Sequence, residues 1–103
     1  MRGNNMAIRT EQMKEILDIR FDDPQKEKEL CMQMLSDSKD RYTEAFGRTY
    51  LGDAYHTLGQ IDEALLELGR GLKLAEADGY EELLFVLYNL IGIIYMYRDD
   101  EQT

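Results

Sequence analysis

The sequence predicts an all-α domain of about five helices arranged as antiparallel hairpins. The chain has a single proline and is rich in Leu, Glu, Ala, Met and Lys, which lose little rotamer freedom on a helix. Apolar residues recur at helical spacing, and the connections between these segments are short enough to make neighbouring helices antiparallel. With 103 residues, 44% of them hydrophobic and 32% charged, the chain suits one globular domain.

Two helices are predicted before residue 40. The first runs from about residue 6 to residue 20, and its apolar residues are expected to face inward: Met13, Ile16, Leu17 and Phe21. Asp23 and Pro24 form a good helix entry, because Asp caps the helix and proline fits its first position. The second helix, residues 24–37, carries Leu30, Met34 and Leu35, and the Ser- and Asp-rich stretch 36–40 ends it.

The third and fifth helices flank the clearest pattern in the chain. The third is expected from about residue 39 to residue 57, with these apolar residues: Phe46, Tyr50, Leu51, Ala54, Tyr55 and Leu58. The fifth is expected over 81–97, where thirteen of the fifteen residues from Leu83 to Tyr97 are apolar. Since a membrane-spanning helix needs about 20 residues, and this run contains Asn89 and Gly92, we expect a buried helix.

The fourth helix, from about Gln60 to Ala77, has the clearest periodicity. A single stripe is formed by Ile61, Ala64, Leu65, Leu68, Leu72 and Ala75. Gly59 precedes the helix, and Asp62 and Glu63 lie in its first turn, where they oppose the positive end of the macrodipole. Gly79 follows it and suits the left-handed position after a helix.

A short pattern recurs forty residues apart, as Leu51, Gly52, Tyr55 and again as Ile91, Gly92, Tyr95. A glycine within a helix costs about 1 kcal/mol relative to alanine, so close packing is the expected compensation. We expect Gly52 to meet Ala64 where the third and fourth helices cross, because antiparallel helices approach closely only where small residues meet. Gly71 is a further packing position and is favoured over Gly69 in that role.

This spacing resembles the tetratricopeptide repeat (TPR). With Ala45 as the first position, the matching residues are Leu51, Gly52, Tyr55, Gly59, Ala64, Leu68 and Gly71. Arg48 departs from the usual large apolar residue, and Glu76 replaces the usual proline. The interval from Gly52 to Gly92 is 40 residues against the common 34, so the resemblance is to a long-repeat subtype.

The resemblance implies a short right-handed superhelix of stacked hairpins within a single domain, residues 1–103. Residues 1–40 would be a degenerate first repeat, 41–78 a full repeat, and 79–103 the first helix of a truncated repeat. We therefore expect an N-terminal fragment of a longer protein. Long-repeat arrays of this kind precede output domains in bacterial regulators, including diguanylate cyclases, transcription factors and peptide-sensing phosphatase regulators.

Composition restricts the partners and the location. The net charge is −9, with twelve basic residues scattered among twenty-one acids, which disfavours nucleic acid and anionic membrane surfaces. The acidity itself most simply serves solubility, with preference for a basic partner as the alternative. One cysteine excludes an intrachain disulfide, and the first ten residues lack an apolar signal segment. We expect a cytoplasmic protein.

No catalytic, cofactor or metal site is predicted, and we expect no enzyme. His56 is the only histidine, and no nucleophile or metal ligands with recognisable spacing accompany it. Cys31 has no resolving cysteine and is expected to be a small buried apolar residue. Glu63 and Glu67 lie one turn apart on what should be a solvated face.

The family resemblance implies a protein- or peptide-binding groove lined by the first helix of each hairpin. The positions carried over by spacing are Thr49, Asp53, His56, Asn89, Ile93 and Met96. Asn89 is the strongest of these, because its amide both donates and accepts hydrogen bonds and suits the backbone of an extended peptide. Asp53 stands where the family's carboxylate clamp has an asparagine, which disfavours capture of an acidic C-terminus. The alternative is that these residues are ordinary exposed or inter-repeat residues.

A competing hypothesis is self-association. The last helix is apolar all round, and no following helix is present to cover one of its sides. We therefore expect a homodimer through this helix that buries Leu83, Leu87, Ile94 or their neighbours. Exchange of helices between the two chains is a second way to form it.

Overall fold

The computed structural model describes the backbone of residues 2–102 and the side chains of residues 11–97. Within this part of the chain all regular structure is helical, which confirms the predicted all-α class and the five helices. The helices are α1 (Arg2–Ile19), α2 (Pro24–Asp37), α3 (Arg41–Thr57), α4 (Ile61–Asp78) and α5 (Glu81–Gln102).

The predicted capping residues stand at the helix ends. The Asp23 carboxylate accepts a hydrogen bond from the Lys26 backbone N–H at 3.0 Å, with Pro24 as the first residue of α2. Asp40 was not predicted as a cap, but its carboxylate accepts a hydrogen bond from the Thr43 backbone N–H at 2.8 Å and caps the start of α3. Gly79, after α4, has φ 73° and ψ 36°, the left-handed conformation predicted for it.

Two helices are longer than predicted. Helix α1 begins at Arg2 rather than at about Met6, and α5 continues to Gln102 rather than ending at Tyr97. Helix α5 therefore runs through Asp99 and Asp100 without a turn. Neither glycine nor proline occurs between residues 97 and 102, and aspartate by itself does not stop an established helix.

Helix α3 lies at the centre of the fold and packs against each of the other four helices. Helices α2 and α4 contact it most extensively, and α5 packs on α4 and α3. The predicted stripe of α4 faces this centre, with Ala64, Leu68 and Ala75 fully buried. Adjacent helices thus pack as a stack of hairpins.

Helix α1 and the turn after it contribute fewer residues to the core than the sequence predicts. Of the four residues expected to face inward, Ile16 is buried and Met13 is half-buried. Leu17 is exposed, and Phe21 has 82% of its surface exposed, so both predictions are wrong. Phe21 lies in the turn after α1, where its ring packs under the Arg20 guanidinium at 4.6 Å instead of entering the core.

The crossing of α3 and α4 has the predicted close approach at Gly52. A Cβ atom on Gly52 would lie 2.5 Å from Cγ of Leu68 and 3.2 Å from the Ala64 carbonyl oxygen. The Leu68 side chain therefore occupies the space that the missing side chain leaves. Gly71 is a second close approach, since a Cβ there would lie 3.1 Å from Oγ1 of Thr49, whereas one on Gly69 would meet nothing within 4 Å.

Replacing Gly52 with alanine should destabilise the fold. The added methyl group has to displace Leu68, which is fully buried, and overpacking of this kind costs about 1–3 kcal/mol. Gly69→Ala is the matched control on α4, and it should stabilise by about 0.5–1 kcal/mol because alanine favours a helix with no steric cost there. Urea unfolding followed by circular dichroism measures both; equal effects of the two substitutions would contradict the close packing.

Candidate interaction surfaces

Thr49 is the most enclosed of the predicted binding residues. It is fully buried, and its hydroxyl donates to the Ala45 carbonyl oxygen at 2.7 Å. The same hydroxyl oxygen faces Gly71 of α4. Thr49 therefore has no exposed surface for a partner, and its contacts are those of the α3–α4 crossing.

Asp53 is also buried, but its carboxylate is bound by another part of the chain. Nε and Nη2 of Arg20 donate to Oδ2 and Oδ1 of Asp53 at 3.0 and 2.9 Å. The guanidinium lies 5.1 Å over the Tyr50 ring as well. This bidentate pair gives a reason for aspartate at this position, since it ties the α1–α2 turn to α3. His56, one turn further along α3, is half-buried.

Glu27 of α2 belongs to the same buried group. Its side chain is fully buried, and neither carboxyl oxygen accepts a hydrogen bond from any described residue. Burial raises the pKa of Glu27 to about 10, and the proton that it then carries can be donated to Asp53. Arg20 opposes this shift only in part. At neutral pH, Glu27 is therefore a neutral acid within the core.

A spacing in the sequence could have located Glu27. It stands four residues before Cys31 and seven before Met34, which are both buried on α2. Residues at this spacing share one helix face, so the carboxyl group lies on the core side of α2. Cys31 is fully buried as predicted, and burial raises the pKa of its thiol above the usual range.

The predicted residues of α5 have a different environment from those of α3. Asn89, Ile93 and Met96 are all exposed, and among described side chains no hydrogen bond joins them to Thr49, Asp53 or His56. The leucines expected in a dimer, Leu83 and Leu87, are buried within the chain, as is Ile94. That part of the expectation is wrong, because these three residues form the inner face of α5.

The exposed face of α5 corresponds to the face of α3 that α4 covers. On α3, the residues facing α4 are Arg48, Thr49 and Gly52. Forty residues later the corresponding residues are Tyr88, Asn89 and Gly92, and all three are exposed. A Cβ on Gly92 would meet nothing within 4 Å, so the packing expected by analogy with Gly52 does not occur among the described residues. We call this surface the outer face of α5; it also includes Phe85 and Met96.

An ion pair joins α3 and α4 where the repeat pattern would have an apolar residue. Nη1 of Arg48 donates to both carboxylate oxygens of Glu67, at 3.0 and 3.2 Å. Glu67 is buried, so the expectation of a solvated face holds for Glu63 only. The periodicity of α4 alone cannot show this pairing, because the partner of Glu67 lies nineteen residues earlier on another helix.

No family model matches the chain, and no curated protein or solved structure matches it significantly. Among the side chains of residues 11–97, no three or more His, Cys, Asp or Glu converge as metal ligands do. None of the described helices combines the length and the apolar character needed to cross a membrane. The surfaces described above are therefore the basis for inferring a function.

Glu27→Gln should remove a pH dependence of stability. The folded-state pKa of Glu27 lies above its unfolded value of 4.5, so its contribution to stability is complete below pH 4.5 and is lost as pH rises towards 10. Glutamine remains neutral and can still donate to Asp53. The variant should therefore gain stability relative to the wild type from pH 5 to 8, by up to about 1.4 kcal/mol per pH unit.

Urea unfolding at several pH values measures this difference. The groups around Glu27 are Arg20 of the α1–α2 turn, Tyr50 and Asp53 of α3, and Cys31 of α2; all are retained in the variant. Glu29→Gln removes an exposed carboxylate from the same helix and serves as the control. Parallel stability curves for the wild type and Glu27→Gln would show that Glu27 is not neutral in the folded state.

Proposed function

We propose that the chain is a non-catalytic protein-interaction module of the helical-repeat type, and that the outer face of α5 receives a segment of its partner. The observation that carries this proposal is the correspondence between Tyr88, Asn89 and Gly92 and the α3 residues that α4 covers. The chain thus contains one covered and one open copy of a similar helix face. An apolar helix or strand of a partner is the natural occupant of the open copy.

The chemistry of the outer face supports binding of an apolar segment. Phe85, Tyr88 and Met96 have 71%, 54% and 55% of their surfaces exposed. Contiguous apolar surface of this kind is typical of interaction sites, because its burial is favourable and monomeric proteins rarely leave it open. Gly92 allows close approach of a partner backbone, and the Asn89 amide can both donate to it and accept from it.

The resemblance to long tetratricopeptide repeats adds a cellular context to the proposal. It supports a place in the sensory or regulatory part of a cytoplasmic bacterial signalling protein, such as a diguanylate cyclase. In this role a rigid helix stack presents the α5 face, and partner binding is read out elsewhere in the protein.

Selection of peptides on the folded chain tests this function and does not require the partner to be identified first. Phage-displayed 18-residue peptides should yield binders with apolar residues at helical or alternating spacing. In calorimetry, Asn89→Ala should weaken a selected peptide about 5- to 30-fold, the range for one buried hydrogen bond of about 1–2 kcal/mol, and Phe85→Ser should weaken it at least as much.

Leu66→Ser is the matched control, because Leu66 is an exposed apolar residue of α4 outside this face. It should leave peptide affinity unchanged. Failure to select any peptide, or affinities insensitive to both Phe85→Ser and Asn89→Ala in folded protein, would reject the α5 face as the binding surface.

Self-association is the second candidate function, and the open Gly92 favours it. Two α5 helices related by a two-fold axis can cross at Gly92, where no side chain keeps their backbones apart. With roughly 100 Å² exposed on each of Phe85, Tyr88 and Met96, a pair of outer faces would bury roughly 600 Å² through these residues. That is below the size of a stable specific interface, so only a weak dimer is expected.

Sedimentation equilibrium tests the dimer. The wild type should associate at high micromolar concentration, whereas Met96→Ser should be monomeric because it replaces an exposed apolar side chain with a polar one, one turn from the crossing at Gly92. Met32→Ser, at a similarly exposed apolar residue of α2, should associate like the wild type. A wild-type monomer at several hundred micromolar would exclude self-association.

A further inference from the structure

A shallow groove between α3 and α4 concentrates positive charge on an acidic chain. Its cavity volume is about 520 Å³, and its lining includes four cations: Arg41 and Arg48 of α3, and Arg70 and Lys73 of α4. Glu44 is the only acidic residue in the lining. Counting the carboxylates beside these four cations, Glu44, Glu67 and Asp78, the cluster keeps a net charge of +1, whereas the whole chain carries −9.

Two of the guanidinium groups are held together by one buried carboxylate. Nη1 of Arg48 and Nη1 of Arg70 both donate to Oε1 of Glu67, at 3.0 and 3.4 Å. Glu67 thereby offsets part of the repulsion between two cations that would otherwise move apart. The arrangement leaves most of the N–H groups of Arg70 free to bind a ligand, since only Nη1 contacts Glu67.

The groove also contains donor capacity that the chain does not use. Nε of Arg48 makes no hydrogen bond, and Oε2 of Glu44 lies 3.9 Å from it, but this atom is buried and a ligand does not reach it. Lys73 has no ion-pair partner among the described side chains. Arg41 differs, since Asp78 accepts from its Nε and Nη2 at 2.6 and 3.2 Å. The accessible unused donors are therefore those of Lys73 and Arg70, together with Nη2 of Arg48.

We propose that this groove binds a phosphate monoester through Lys73, Arg48 and Arg70. A phosphate monoester carries about −1.5 to −2 charges at pH 7 and presents three acceptor oxygens, which match these donors better than the single charge of a carboxylate. Leu74 and Ala77 complete the lining and offer an apolar contact to the carbon part of the ligand. The site lies on α3 and α4, so it does not depend on the function proposed for α5.

Titration of the whole ¹⁵N-labelled chain at constant ionic strength tests the proposal. The probes are N-acetyl-phosphoserine amide, an acetylated five-residue phosphoserine peptide, and the same peptide with glutamate in place of phosphoserine. Phosphate probes should saturate with millimolar or lower Kd and shift the amide signals of residues 41–48 and 70–77. Tighter binding of the phosphopeptide than of the amino-acid probe would identify a phosphorylated peptide as the natural ligand. Equal affinity for the two probes would identify a small phosphorylated metabolite instead.

Lys73→Gln should weaken both phosphate probes at least 5-fold, because it removes the cation that has no partner among the described side chains. Lys26→Gln makes the same charge change at an exposed lysine of α2 and should leave affinity unchanged. Equal weakening by both substitutions would mean non-specific attraction, and equal affinity for the glutamate peptide would exclude phosphate recognition. Absence of saturation by 20 mM phosphoserine probe would overturn the site, while peptide binding at α5 would be unaffected.

Discussion

The near approach of α3 and α4 at two glycines is the constraint from which most of the structure follows. At Gly52 the Leu68 side chain fills the missing Cβ position, and at Gly71 the Thr49 hydroxyl lies against the backbone. Helices packed this closely leave no room for a large side chain between them at these points. Arg48 instead extends along the crossing to Glu67, and the cationic groove lies beside that pair. Packing and charge at this crossing are therefore parts of one arrangement.

The apolar part of the fold was predictable because it depends on short-range periodicity. The stripe on α4 and the Asp23–Pro24 entry to α2 both appear in the structure as the sequence predicts. Charged residues in the interior were not predictable in the same way. Glu67 was placed on a solvated face, although it is buried beside Arg48, because a single helix pattern contains no information about a cation on the neighbouring helix. The prediction for Phe21 was wrong for a related reason. Its apolar character suggests a core residue, but it lies in the turn after α1 and its ring packs against the Arg20 guanidinium.

The three carboxyl groups that are buried among the side chains of residues 11–97 are accommodated in different ways. Asp53 has a bidentate partner in Arg20, and Glu67 is shared between Arg48 and Arg70. Glu27 has no cation of its own, so burial favours its neutral form. Buried ion pairs add little net stability, but removing one partner costs several kcal/mol. Helix packings that separate the two charges are therefore disfavoured. The ion pair between Asp53 and Arg20 thereby fixes the orientation of α1. This matters because Ile16 is the one fully buried residue among the described side chains of α1.

Thr49 and Asn89 show why a repeat position does not by itself identify a binding residue. They occupy equivalent positions forty residues apart, and the resemblance to a repeat family implies the same role for both. Thr49 is fully buried because α4 lies over it, whereas Asn89 is exposed because no described element lies over its face of α5. Exposure is thus set by the neighbouring helix, which a single sequence position cannot specify. The side chains differ accordingly: Tyr88 replaces Arg48, so an occupant of the α5 face would not need the buried acid that α4 supplies in Glu67. An apolar partner surface meets that condition, and an acidic one does not.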